Sequence, residues 1–314
     1  MADQAQARAP ELPPVLGPGL ALFGYTCLMV GFLAIGFSTQ ARNPVVGLWL
    51  TEALAIALPA LIAFRGANVR PAPFVGLWRV GALALAVAAA VAILNQPIVS
   101  LLEWFAHRYG PADWIRQFDA KNALLEQLFA GRKLGMVVTV TLAAPLGEEL
   151  FFRGFALPAM ARRWGPGVAI VVTGGLFALL HLDPIGFIGL WELGVVFGLL
   201  RWATGSIWPS VLAHAVNNGL AAGAFLLGMQ KPEEDPPAWL LALGGVFLLG
   251  SIPLAVKLIS RPTPVAVREE PWTNRDLRRG FKPGRTAGLI ALWSLAVVIG
   301  LGLIGAQLAA APRG

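Results

Sequence analysis

The sequence predicts an all-α fold: a polytopic membrane helix bundle of about eight or nine transmembrane helices plus one interfacial amphipathic helix. Hydrophobic residues make up 57% of the 314-residue chain and charged residues 13%, whereas a soluble domain carries about 25% charged residues. Long apolar stretches also recur along its whole length. A soluble fold is excluded because so few polar residues cannot cover the surface of a protein of this size.

Nine apolar stretches approach the roughly 20 residues that a helix needs to cross a bilayer. They cover residues 20–37, 45–64, 80–102, 134–152, 167–181, 185–200, 207–229, 238–259 and 287–310. The predicted organisation is a disordered N-terminal tail at 1–19, N-terminal transmembrane helices at 20–112, an interfacial amphipathic helix at 113–133, a membrane core that contains the candidate site at 134–229, and C-terminal transmembrane helices at 230–314 with a basic loop at 257–285.

Lysine and arginine residues accumulate in alternate loops, and such loops lie on the cytoplasmic side of a membrane. The loop 257–285 holds eight basic residues, whereas the loop 231–237 is acidic. We therefore expect an integral protein of the plasma (inner) membrane with a cytoplasmic N-terminus. The net charge of +7 is spread over these loops and forms no single basic face. This distribution predicts contact with membrane lipid and no nucleic-acid partner.

The segment 113–133 mixes charged residues with apolar ones at near-helical spacing. This pattern predicts a helix that lies in the membrane interface with its apolar side toward the lipid. The alternative is an ordinary polar connection that contains a short helix. Both interpretations place this segment between the N-terminal helices and the membrane core.

Ionisable side chains concentrate in the predicted membrane core, where each one costs several kcal/mol unless it has a partner. Glu149 and Arg153 are four residues apart with the acid first, the favourable order for an ion pair on one helix face. Glu148 points about 100° away from Glu149. Arg153 therefore cannot readily neutralise both acids, and an unpaired Glu148 is suited to act as a general base.

Histidine and asparagine side chains supply the other polar groups of this core. His181 ends the fifth apolar stretch, and His214 and Asn218 are four residues apart on one face of the seventh. A turn near 164–166 would place Glu148 and His181 at similar depth in antiparallel helices. A carboxylate, two imidazoles and an amide are the groups needed to activate water and stabilise an oxyanion, so we expect them to line one polar cavity.

These residues form three motifs that resemble those of the CAAX-prenyl-protease and bacteriocin-processing family of intramembrane proteases, also called the Abi family. Residues 148–153 match E-E-x-x-x-R, residues 177–181 match F-x-x-x-H, and residues 214–218 match H-x-x-x-N, in the family's order and on separate apolar stretches. The motif-bearing region runs from about residue 134 to 227, and the resemblance rests on this region and not on the flanking helices.

The resemblance implies an intramembrane endopeptidase that hydrolyses a peptide bond of a membrane-associated substrate, which is prenylated or otherwise lipid-modified in some family members. It implies that Glu148 activates water with the help of His181, that His214 and Asn218 stabilise the oxyanion, and that Glu149 and Arg153 support them. The family is also described as metalloproteases, so zinc held by Glu148, His181 and His214 is an open alternative. We expect metal-independent chemistry, because a zinc-bound Glu148 would no longer be available as the base.

The polar residues alone, without the family resemblance, also allow other functions. Buried Glu and His also serve membrane transporters and proton relays, although no internal repeat is visible here. A catalytically silent scaffold would account for the helices but not for the polar cluster. A serine nucleophile at Ser210 is less suitable than a packing hydroxyl at that position. Glu52 and Glu192 match no motif, and we interpret both as structural.

Overall fold

The computed structural model describes residues 16–67, 69–229, 234–247, 250 and 284–310. Helices dominate these residues, and no β-strand occurs among them. The predicted all-α class is therefore confirmed, and the apolar helices make the chain an integral membrane protein. Most of the predicted N-terminal tail and nearly all of the predicted basic loop 257–285 lie outside the described residues.

The first two membrane helices form a hairpin that packs against the core. They span Pro18–Gln40 and Pro44–Gly66. Proline at the start of each helix is favourable because the first helical N–H groups have no intrahelical partner, and the Asn43 side chain accepts a hydrogen bond from the backbone N–H of Val46 at 3.2 Å. Both helices contain a π-helical segment, at Phe32–Gly36 and at Thr51–Ala57. The second segment places Glu52 toward the core, where it is buried.

Four helices follow before the core. Pro71–Val75 is short, and Ala82–Leu94 continues into Gln96–Tyr109 across a break at Asn95. The helix Ala112–Phe129 confirms the helical part of the prediction for 113–133, although it ends four residues earlier. Gly131 adopts a positive φ of 71°, which glycine tolerates and which lets the chain turn into the next helix. That this helix lies at the membrane interface stays a prediction.

Three long helical segments carry the motifs. The glutamate helix, Lys133–Glu149, leads through a π-helical segment at Leu150–Ala156 into Leu157–Leu180. Gly165 interrupts the last of these with φ 76° and ψ 162°, so the chain turns within the predicted interval 164–166. Phe187–Thr204 and then the histidine helix, Trp208–Leu226, complete the core.

Small residues allow two of these helices to approach closely. A Cβ atom built on Gly194 would lie 2.6 Å from the Cα atom of Gly174 and 2.8 Å from its carbonyl oxygen, so neither position has room for a side chain. The ring of Phe177 on one of these helices also contacts that of Phe197 on the other, with centroids 6.2 Å apart. Small residues at this contact therefore allow the two helix backbones to pack closely.

In the part of the chain that the structure describes, fewer helical stretches qualify as membrane spans than the sequence predicted, partly because two predicted spans form one helical stretch in the structure. Among the described residues, six helical stretches are long and apolar enough to cross a membrane. One of them, Lys133–Leu180, is 48 residues long and contains the turn at Gly165. The histidine helix has 19 residues but carries His214, Asn217 and Asn218, and it is not among the six. Ala238–Phe247 is shorter. A total of eight or nine stays a prediction.

Candidate active site

A buried ion pair anchors the candidate site. The Nη1 atom of Arg153 donates to Oε1 of Glu149 at 2.8 Å, and both side chains are fully buried. The Nη2 atom of Arg153 donates to the backbone carbonyl of Gly194 at 2.6 Å. The guanidinium also lies over the rings of Phe177 and Phe197, 4.8 Å and 5.4 Å from their centroids. The pair expected from the four-residue spacing is therefore present, and it holds Glu149 in place.

Glu149 connects this ion pair to the histidine helix. Its Oε1 atom lies 3.0 Å from Nδ1 of His214, and its Oε2 atom accepts a hydrogen bond from the Ser210 hydroxyl. The imidazole of His214 stacks on Phe197, with ring centroids 4.8 Å apart and an interplanar angle of 19°. These contacts fix both the position and the rotation of the ring. Because a carboxylate paired with Arg153 carries no proton, Nδ1 of His214 is the donor in this contact.

Glu148 lies on the other side of the same imidazole. Its Oε2 atom is 3.9 Å from Nε2 of His214. The side chain is buried, 6% exposed, and this Oε2 atom has no hydrogen-bond partner. Since Nδ1 of His214 is directed at Glu149, its Nε2 atom faces Glu148. The arrangement therefore places a carboxylate without a fixed partner next to an oriented imidazole.

His181 joins this group through an aromatic ring and not by a direct polar contact. Its Nδ1 atom lies 2.9 Å from the carbonyl oxygen of Phe177, so Nδ1 donates and Nε2 is left as an acceptor. The Phe177 ring contacts both imidazoles, with centroids 4.9 Å from His181 and 5.5 Å from His214. In the described part of the chain, no hydrogen bond or ion pair connects His181 with Glu148.

Asn218 is held by a different part of the glutamate helix. Its Nδ2 atom donates to the carbonyl oxygen of Val140 at 2.9 Å, and its Oδ1 atom accepts from Nδ2 of Asn217 at 3.3 Å. Val140 lies eight residues before Glu148, about 12 Å along an α-helix. The structure thus brings together Glu148, Glu149, Arg153 and His214, and holds Asn218 farther along the same pair of helices. That all four proposed catalytic side chains line one cavity stays a prediction.

The zinc alternative depends on how Glu148, His181 and His214 are arranged. Among the described residues, no group of three or more His, Cys, Asp or Glu side chains is arranged so that it could hold a metal ion. Nδ1 of His181 contacts the Phe177 carbonyl, and Nδ1 of His214 contacts Glu149. Zinc-binding histidines make such contacts with their second ring nitrogen, so these contacts leave Nε2 of each ring available. Metal-independent chemistry therefore stays a prediction.

Several contacting groups were not assigned by sequence. Ser210, expected to be a packing hydroxyl, donates a hydrogen bond to Glu149. Its four-residue spacing from His214 is the signal in the sequence that distinguishes it. Glu52, expected to be structural, is buried with an Oε2 atom that has no partner, and its Cβ atom would lie 3.0 Å from a Cβ built on Gly147. It therefore packs beside the residue that precedes Glu148. The amide of Asn95 donates a hydrogen bond to Glu192 at 2.8 Å.

A comparison with protein families identifies the part of the chain that carries this arrangement. Residues 130–220 match the family described as "Type II CAAX prenyl endopeptidase Rce1-like". We call residues 130–220 the Rce1-like segment. All three motifs lie in this Rce1-like segment, so the family expected from them is confirmed. The match does not favour the transporter or proton-relay alternative.

Two curated proteins of Bacillus subtilis (strain 168) are similar to the chain. The "Putative membrane peptidase YdiL" is 24% identical over 163 residues, which are 50% of this chain and 62% of that protein. The "Uncharacterized protein YyaK" is 32% identical over 106 residues, 30% of this chain and 36% of that protein. Both matches cover less than two thirds of the relative's own length. No solved structure matches the chain.

Proposed function

We propose that this protein is an intramembrane endopeptidase that hydrolyses a peptide bond in a membrane-associated substrate with a water molecule activated by Glu148. The observation that carries the proposal is the position of His214, which lies between the fixed carboxylate of Glu149 and the unpartnered carboxylate of Glu148. The Rce1-like segment and the similarity to a peptidase relative support hydrolysis as the chemistry.

The proposed mechanism assigns one proton route. Glu148 takes a proton from water, and the resulting hydroxide attacks the carbonyl carbon of the scissile bond. His181 accepts a hydrogen bond from this water at Nε2, because its Nδ1 atom is occupied by the Phe177 carbonyl. His214, charged and balanced by Glu149, and the amide of Asn218 donate hydrogen bonds to the oxyanion. Glu148 then returns the proton to the leaving amine as the C–N bond breaks.

The substrate class follows from the location of the site. Glu148 lies in an apolar helix of a membrane protein, so a peptide reaches it from the bilayer or its interface. We propose a substrate with a lipid group or a membrane-inserted part, with a prenylated C-terminal peptide as the first candidate, since the family description names that class. The plasma membrane and a cytoplasmic N-terminus are part of the same proposal, as is contact with lipid at the basic loops.

The experiment that tests this function compares cells that carry the wild-type protein with cells that carry Glu148→Ala. We expect shortened peptides, and the matching new chain ends, to be present only with the wild-type protein, because the variant lacks the group that activates water. Quantitative proteomics of chain termini measures the difference. Equal protein levels in the two strains are the control. Identical terminal peptides in both strains, including membrane proteins, would refute the proposed activity.

Chelators should leave turnover unchanged, within about twofold, because the described side chains form no metal-holding group. The measurement is cleavage of an internally quenched peptide that ends in a prenylated Cys-aliphatic-aliphatic-X sequence, in detergent, before and after dialysis against EDTA and 1,10-phenanthroline. Size-exclusion chromatography checks that the dialysed protein stays folded. A loss of activity that added zinc restores would show that the proposed water activation by Glu148 alone is wrong.

A further inference from the structure

Three side-chain amides form a continuous hydrogen-bonded chain that ends at Asn218. The Nε2 atom of Gln96 donates to the carbonyl oxygen of Ala92 at 3.1 Å and to Oδ1 of Asn217 at 2.9 Å. The Nδ2 atom of Asn217 donates to Oδ1 of Asn218 at 3.3 Å. The Nδ2 atom of Asn218 then donates to the carbonyl oxygen of Val140 at 2.9 Å. The chain links the helix Gln96–Tyr109, the histidine helix and the glutamate helix.

The direction of this chain is set by its two ends. An amide has a donating NH₂ group and an accepting oxygen, whereas a backbone carbonyl only accepts. Ala92 therefore requires the NH₂ group of Gln96, and Val140 requires the NH₂ group of Asn218. Rotating any one amide by 180° would place two oxygens or two NH₂ groups in contact. Rotating all three would place oxygens against both backbone carbonyls. Only one orientation satisfies every contact.

We propose that Gln96 and Asn217 are positioning residues that fix the amide of Asn218 so that its NH₂ group faces the reacting carbonyl. This inference rests on the proposed function, in which Asn218 stabilises the oxyanion. One hydrogen of the Asn218 NH₂ group is used by Val140, and the second is left for the substrate. In the opposite orientation the oxygen of Asn218 would face the developing negative charge and repel it. In the present orientation the NH₂ group faces that charge and stabilises it.

Gln96 lies outside the Rce1-like segment, which begins at residue 130. Its position depends on the break between Ala82–Leu94 and Gln96–Tyr109. At this break the neighbouring amide of Asn95 is buried and donates to Glu192 at 2.8 Å, away from the Asn217–Asn218 pair. Two adjacent amides at one helix junction thus serve different contacts, and Asn95 provides a matched control for Gln96.

The test is a double-mutant cycle on the full-length protein in detergent, with the quenched prenylated peptide as the probe. We expect Asn218→Ala to lower kcat by about 100-fold, as the loss of an oxyanion donor does. Gln96→Ala should lower kcat by about tenfold with KM unchanged, because the Asn217 amide then loses the contact that fixes it, and Asn218 is held by Val140 alone and less rigidly. In the Asn218→Ala background, Gln96→Ala should have no further effect on kcat. Asn95→Ala should leave kcat per folded protein unchanged.

A second measurement requires no substrate. In protein labelled with ¹⁵N-asparagine, the side-chain NH₂ signals of Asn218, assigned by their loss in Asn218→Ala, should be protected from hydrogen exchange in the wild type. Gln96→Ala should reduce that protection, and Asn95→Ala should not. Unchanged protection in Gln96→Ala overturns the positioning role, whether or not the peptide is cleaved.

The outcomes separate this inference from the proposed function. If Asn218→Ala leaves kcat unchanged in a cleaving enzyme, the oxyanion role of Asn218 is wrong. If Asn218→Ala lowers kcat but Gln96→Ala does not, only the positioning role is wrong. If the two losses multiply in the double variant, Gln96 acts on turnover by a route other than Asn218, and the inference is again overturned.

Discussion

Glu148→Gln should abolish peptide cleavage while the protein keeps its fold. Glutamine has the shape of glutamate but cannot accept a proton from water, so the proposed base is removed. General-base catalysis contributes about 10²- to 10⁴-fold, and we expect a loss in kcat of at least ~1000-fold. The fold should tolerate the change, because the Oε2 atom of Glu148 has no hydrogen-bond partner that the amide would break. Cleavage of the quenched prenylated peptide and thermal unfolding in detergent measure the two effects separately.

The matched control is Glu192→Gln, which also neutralises a buried acid in a membrane helix. The glutamine oxygen can still accept the hydrogen bond that Asn95 donates to Glu192 at 2.8 Å, so both fold and turnover should be retained. Full activity in a well-folded Glu148→Gln protein would refute the assignment of the base. Equal losses in both variants would mean that buried charge in general, and not Glu148 in particular, is required.

Sequence spacing predicted the contacts made within one helix. The four-residue separation of Glu149 and Arg153 predicted their ion pair, and the 100° offset of the next residue predicted that Glu148 is not held by Arg153. The turn at Gly165 followed from the proline and glycine residues around it. Such features depend on local backbone geometry, which is the same in every protein.

Contacts between helices were not predictable in the same way, because they depend on the rotation and height at which two helices dock. The hydrogen bond from Ser210 to Glu149, the carbonyl of Gly194 that accepts from Arg153, and the amide of Asn218 on Val140 are of this kind. The π-helical segment Leu150–Ala156, which follows the two glutamates, also changes the rotation of the residues after it. Sequence spacing therefore assigned Glu149 to Arg153 alone and missed its contact with His214.

The number of membrane spans was also not predictable from the sequence, but for a different reason. Hydropathy measures composition, and the residues that carry the proposed chemistry make the histidine helix less apolar than its neighbours. In addition, Lys133–Leu180 is one continuous helical stretch that contains the turn at Gly165, although the sequence predicted two spans there. Apolar stretches therefore predicted where the helices lie better than how many of them cross the bilayer.

Glu149→Gln should reduce the amount of folded protein, in contrast to the change at its neighbour. Arg153 is fully buried, and Glu149 is the carboxylate that balances its charge. Removing one partner of a buried ion pair costs about 3–5 kcal/mol, because the other charge is left uncompensated. The same carboxylate also accepts from Ser210 and contacts His214, so any folded fraction should cleave peptide poorly.

The double variant Glu149→Gln with Arg153→Met separates these two effects. Replacing a buried ion pair by groups without charge is often neutral for stability, so methionine should restore much of the folded yield that Glu149→Gln loses. It should not restore turnover, because His214 then lacks the carboxylate that balances its charge in the proposed transition state. Yield and homogeneity by size-exclusion chromatography, the midpoint of thermal unfolding, and cleavage per folded protein measure each step. Wild-type yield and thermal stability in the single variant would show that Glu149 does not stabilise Arg153, and wild-type cleavage in the double variant would remove Glu149 from the proposed site.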